Sequence, residues 1–157
     1  MQLEQLELPG GGLLTVYLRD CVETMPQAME RPLVLVVPGG GYSHLSAREG
    51  DPVALQFAAA GYHTAVLRYA VGDDAAHGLP LRQLAAAIGL VRQHAAAWHV
   101  QPDKIAVCGF SAGGHLALSG AVLVVPGLPE QPRPNAVILG YPVITAGQYA
   151  HRGSFVQ

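Results

Sequence analysis

Charge is scarce in this chain: 13% of its residues are Asp, Glu, Lys or Arg, and they sum to a net charge of −2. That excludes a basic footprint for nucleic acid or an anionic membrane surface, and no stripe of aromatic and basic residues compensates. Cysteine is scarcer still. Cys21 and Cys108 lie far apart, neither belongs to a Cys-x-x-Cys pair, and Cys108 falls in an apolar run. Two buried reduced thiols are therefore expected, rather than a disulfide or a metal site. The opening residues, MQLEQLELPGGG, contain no Lys or Arg and no unbroken apolar core, so they do not read as a secretory signal. No apolar stretch is both long and free of breakers. The expectation is a cytoplasmic chain with neither a nucleic-acid nor a membrane partner.

Apolar residues and glycine are what the chain has in quantity: half of its 157 residues are hydrophobic and 19 are glycine. The length suits one domain with a real core. Residues 3–8 and 13–18 alternate around Pro9-Gly10-Gly11-Gly12 and read as a β-hairpin. Residues 33–37, LVLVV, form a continuous apolar strand of the kind buried inside a parallel sheet. Asp51 as cap with Pro52 in the first turn opens a helix that Gly61 closes, and residues 63–69 return as a strand. Leu81, Leu84, Ala85, Ile88, Val91, Ala95 and Trp98 recur at helical spacing and predict one long crossover helix. A strand over 105–108, a helix over 112–125 and a last strand over 136–140 follow. A hairpin, three strand–helix units and a final strand predict an α/β fold with a mostly parallel, three-layer sheet.

Chemistry concentrates at two glycine-bearing turns at the carboxyl ends of strands. One is Gly39-Gly40-Gly41. The other is Gly109-Phe110-Ser111-Ala112-Gly113, set between an apolar strand and an apolar helix. A Gly-x-Ser-x-Gly in that setting is the layout of a nucleophile elbow, which raises a serine hydroxyl above the sheet. Backbone N–H groups from the two turns can converge on one oxygen, as an oxyanion hole requires. The rival reading of PGGGYS as a phosphate loop fails because no Gly-Lys-Ser/Thr follows the glycines.

Three blocks in order, VVPGGGYSHLSAREGDPVALQFAAAGYHTAVLRY, PDKIAVCGFSAGGHLA and YPVITAGQYAHRGSF, resemble the α/β-hydrolase esterases of the acetyl-xylan esterase-like and hormone-sensitive-lipase-like group. The resemblance runs from about Arg31 to the end and implies the α/β-hydrolase sheet. It implies Ser111 as nucleophile, Gly40, Gly41 and Ala112 as oxyanion donors, no metal and no cofactor. Many relatives carry His-Gly-Gly-Gly at the first loop, where this chain has Pro38.

A serine also needs a base and an orienting acid, which in this superfamily follow it in the order acid, then His. After Ser111 the only acidic residue is Glu130, beyond a helix leading away from the elbow, with none over 131–157. His99 and His115 read as structural. His44 and His151 follow strand ends and are the candidates for a surrogate base. The expectation is a single incomplete α/β-hydrolase domain over 1–157, truncated after about the sixth strand, with a hairpin, nucleophile and oxyanion hole but no triad acid or His. Three functions remain open: a short-acyl (acetyl) serine ester hydrolase acting through an acyl-enzyme on a small-molecule ester, a non-catalytic binding or assembly module, and a serine peptidase on the same fold. The apolar residues 136–140, AVILG, at an open sheet edge also predict a homodimer formed by pairing of two such strands.

Overall fold

The computed structural model describes residues 1–125, 127–128, 130–145 and 147–148, together with the Gln27 backbone. The predicted hairpin is β1 (Gln2–Leu8) and β2 (Gly12–Leu18), paired antiparallel from Gln2–Leu18 to Leu8–Gly12. Then come β3 (Arg31–Val37), α1 (Asp51–Ala59), β4 (His63–Arg68), α2 (Leu79–Gln93), α3 (Ala95–Trp98), β5 (Val100–Phe110), α4 (Ala112–Val122) and β6 (Ala136–Gly140). The described strands make one sheet in the order β1-β2-β4-β3-β5-β6, parallel from β4 to β6 and antiparallel over the hairpin.

Strand alternation divides the core between the two faces of the sheet. Leu33, Leu35 and Val37 point to the side covered by α2, α3 and α4, where they join Leu84, Ile88, Trp98 and Leu116. Val34 and Val36 point to the side covered by α1, against Ala54, Val66 and Cys108. The continuous apolar run of β3 is thus buried on both faces, as read from its composition.

Besides shifts of one or two residues at strand ends, four differences from the expected boundaries stand out. Asp51 is not the cap of α1: Gly50 holds that position, and Asp51 lies in the first turn, accepting from the Tyr17 hydroxyl at 2.7 Å and pairing with Arg68 at 2.8 Å. Its carboxylate still favours the helix start through the dipole. The crossover helix breaks at His94, which leaves α2 and α3 as separate pieces. The Val100–Phe110 strand starts earlier than expected, because its first residue pairs with Arg31 ahead of a register shift. Finally, α4 ends at Val122 rather than 125, ahead of the Pro-Gly signal. Cys21 and Cys108 are free thiols, but only Cys108 is buried; Cys21 is half-buried, its thiol donating to the Met29 carbonyl.

One buried histidine is a structural pin. His63 on β4 has 0% exposure; its Nδ1 accepts the Arg19 N–H at 3.0 Å, and its Nε2 reaches the His99 carbonyl at 3.2 Å. Those partners fix the neutral tautomer with the proton on Nε2. Desolvation by burial pushes its pKa from 6.5 down to about 4. A second proton therefore favours the unfolded chain, and the stabilisation, whole above pH 6.5, is lost as pH falls toward 4. The loss is on the order of 3 kcal/mol. Denaturant unfolding of the wild type and His63→Asn should show a stability difference that narrows between pH 7 and pH 4. A constant difference across that range would contradict the assignment.

Candidate active site

The site lies at the carboxyl ends of β3, β5 and β6, where α4 begins. Ser111 links β5 to α4 with φ 51° and ψ −118°. These are the angles of the first central residue of a type II′ turn, a glycine position that a side chain occupies only under strain. The neighbouring glycines explain how the turn is built. A Cβ at Gly109 would overlap the Gly113 carbonyl oxygen, and one at Gly113 would overlap the carbonyl oxygens of Val37 and Pro38. At Gly114 it would come 2.9 Å from Pro142 Cβ. The helix start is packed backbone against backbone on the ends of β3 and β5 and on the loop after β6.

That last loop is fastened to the same turn. The Ser111 N–H donates to the Gly140 carbonyl at 2.9 Å, and the Ser111 carbonyl accepts from Val143 at 3.2 Å and His115 at 3.0 Å. Ala112 is buried as the first residue of α4. Its N–H belongs to the group at a helix start that has no intrahelical acceptor.

The first glycine loop comes in from β3. Gly40 (φ 131°), Gly41 (φ 62°) and Tyr42 (φ 61°) run left-handed in succession, and Ser43 and His44 both donate their N–H to the Gly40 carbonyl. A side chain at Gly40 would collide with the His44 carbonyl, so the coil depends on glycine there. Gly39 lies against the nucleophile turn: a Cβ on it would meet Phe110 O at 2.7 Å, Glu49 Oε2 at 2.8 Å and Ser111 Cβ at 3.0 Å.

Ser111 and Ala112 therefore lie beside Gly39, the first residue of the glycine loop. His44 is exposed at the end of the loop, its Nδ1 3.1 Å from the Ser43 hydroxyl. His151 lies outside the described residues. His99 is an exposed left-handed residue that ends α3, and its carbonyl holds Arg31 and His63. His115, one turn into α4, has its Nδ1 2.7 Å from the Tyr42 hydroxyl. Burial lowers the His115 pKa and raises that of Tyr42, so the two bond as neutral groups. Among the described residues no histidine or carboxylate hydrogen-bonds the Ser111 hydroxyl, and no group of three or more His, Cys, Asp or Glu could hold a metal ion. Among the described residues no helix is long and apolar enough to cross a membrane.

Two residues at the site carry no sequence signal. Glu49, an acidic residue in a polar loop, is buried and accepts from the Gly39 N–H and the Tyr141 hydroxyl. Tyr141 itself follows a short strand with φ 37°. Beside the Tyr42–His115 pair opens a cavity of about 790 Å³, lined also by Asp73, Leu81, Leu116, Ser119 and Leu123. Its size and apolar walls suit a small molecule.

A family model for BD-FAE matches residues 20–126. The chain is 36% identical to the endo-1,4-beta-xylanase B of Butyrivibrio fibrisolvens over 136 residues, covering 80% of this chain and 21% of that protein. It is 32% identical to the acetylxylan esterase of Xylanibacter ruminicola over 136 residues, covering 84% of this chain and 27% of that protein. Among solved structures, the carboxylesterase Cest-2923 from Lactobacillus plantarum WCFS1 superposes with a TM-score of 0.81 at 34% identity, covering 98% of this chain and 62% of that one. The chain thus spans about a quarter of the curated relatives' length and under two thirds of that structure.

Proposed function

We propose, for a chain that belongs to the BD-FAE family of α/β-hydrolase esterases, that Ser111 is the nucleophile of a carboxylic-ester hydrolase. The observation that carries this reading is the backbone of Ser111 itself, left-handed between strand and helix and flanked by the glycine loop. Strain at a non-glycine residue is kept where a function requires it. In the proposed reaction the Ser111 Oγ attacks the ester carbonyl carbon, and the negative charge on the carbonyl oxygen is met by the N–H groups of Ala112 and of Gly40 or Gly41. The Ser111 hydroxyl proton passes to a base and from it to the alcohol as the C–O bond breaks; water, giving a proton to the same base, then attacks the acyl-serine, and that proton returns to Ser111 as the acid leaves.

The acetylxylan esterase relative supports a short acyl group, acetyl on a sugar or small alcohol, as substrate. His44 and His151 are the proposed surrogate bases. With no described histidine on the Ser111 hydroxyl, hydrolysis of p-nitrophenyl acetate should be slow, at the roughly 10³- to 10⁴-fold over water that an oxyanion site and binding alone leave. Ser111→Ala should lower it by the share that passes through an acyl-serine and leave the share owed to the oxyanion site alone. A rate that Ser111→Ala leaves unchanged would overturn the proposal, whereas full enzyme turnover lost on single substitution of His44 or His151 would identify the base.

Self-association through β6 is the second part of this reading. Among the described residues β6 pairs only with β5, and Ile138 within it is 44% exposed. An apolar edge strand without an internal charge or proline invites a second copy. Sedimentation should show a dimer that Ile138→Lys shifts to monomer; a wild-type monomer at high concentration would rule it out.

A further inference from the structure

We infer that Glu49 is the positioning residue of this site, tying the glycine loop and the loop after β6 to the two sides of the Ser111 turn. The inference rests on the reading of Ser111 as nucleophile. Glu49 is 8% exposed, and its two carboxyl oxygens serve different segments: Oε2 accepts the Gly39 N–H at 2.8 Å, and Oε1 accepts the Tyr141 hydroxyl at 2.7 Å. Among the described residues the one cation within ion-pair distance is Arg48, whose Nε lies 3.9 Å from Oε1 on an 89% exposed side chain. That contact is screened by water, so the two hydrogen bonds are what hold the carboxyl group in place.

The consequence for the site is specific. Gly39 is buried, and with its N–H committed to Glu49 it is not available to an oxyanion, which leaves Gly40, Gly41 and Ala112 as donors. On the other side, Tyr141 adjoins Gly140, whose carbonyl holds the Ser111 N–H, and its ring packs on Phe110 at 5.9 Å. One side chain thereby fixes both neighbours of the nucleophile turn. Glu suits this role because it offers two acceptor oxygens to two donors. A glutamine can replace it only if its amide oxygen takes Gly39 and the Tyr141 hydroxyl turns to accept from its NH₂.

The hydrogen bond to Glu49 also raises the Tyr141 pKa above 10, which supplies a readout independent of chemistry at Ser111. The test is fluorophosphonate labelling of the full chain as wild type, Glu49→Ala, Glu49→Gln and Tyr141→Phe, alongside titration of phenol absorbance, with Tyr141→Phe identifying the Tyr141 signal. The wild type should label at Ser111 with Tyr141 titrating high. Glu49→Ala should lower the maximal labelling rate by about 10- to 100-fold, the scale of a small misplacement of reacting groups. The half-saturating probe concentration should stay unchanged. Glu49→Gln should restore most of the rate while the Tyr141 titration returns toward its ordinary value. If Glu49→Ala does not fold, Tyr141→Phe, which keeps the ring, should still lower the maximal rate. Labelled wild type with unchanged rates in both Glu49→Ala and Tyr141→Phe, or a Tyr141 titration indifferent to Glu49, overturns this inference alone. An unlabelled wild type overturns the serine reading and this one with it.

Discussion

Gly113→Val should destabilise the chain by about 3 kcal/mol or more, the upper end of what overpacking a tight contact costs. For a domain of this size that is a fall of roughly 6–12 °C in Tm. The reason lies in backbone, not side chains. Even the first carbon of a side chain at Gly113 would overlap the carbonyl oxygens of Val37 and Pro38 at the end of the central strand β3. Val37 ends β3 in register with Gly109 of β5, and the Pro38 carbonyl just past it accepts the buried Tyr69 hydroxyl at 2.7 Å, so neither can retreat without disturbing those contacts. Valine adds a branched Cβ on top of that overlap. A thermal melt compares the variant with the wild type, and an unchanged midpoint would mean that α4 does not start where the structure has it.

Ser111→Gly and Ser111→Ala should part in stability while agreeing in chemistry. Both remove the hydroxyl, so both should abolish labelling at this position and the share of ester cleavage that passes through an acyl-serine. Alanine keeps a Cβ at φ 51°, ψ −118° and so retains the strain, whereas glycine adopts those angles freely. Relief of strain at such a residue is worth about 1–3 kcal/mol, and the extra unfolded-state freedom of glycine takes back about 0.4–1 kcal/mol. Glycine should therefore come out about 1 kcal/mol more stable than wild type, with alanine near wild type. Equal stability of the two variants would show that the turn is unstrained.

The parts of this fold that were legible in the sequence are those where local pattern and tertiary role coincide. The apolar run of β3 is buried on both faces, the hairpin alternates as read, and Gly-x-Ser-x-Gly between an apolar strand and an apolar helix does form the turn from β5 to α4. Boundaries were lost where tertiary contacts override the pattern: the apolar spacing continues from Val91 through Ala95 to Trp98, yet the helix breaks at His94, which bonds back to the Leu90 carbonyl and stacks on Trp98. At the site, the acidic residue that matters to the geometry lies before the serine in the chain. Glu49 is distinguished only by whom it touches, a glycine N–H ten residues away and a tyrosine hydroxyl far along the chain. No periodicity or spacing encodes such a contact, because it arises from two loops meeting at one edge of the sheet.

The central claim is that the strained serine at the start of α4 is a competent nucleophile beside a preformed oxyanion site. Intact-mass measurement of the folded chain after fluorophosphonate treatment, with peptide mapping of the adduct, tests it most directly. The account predicts a single adduct, on Ser111, absent from Ser111→Ala. A folded wild-type chain that takes up no label, or one labelled elsewhere, would contradict it.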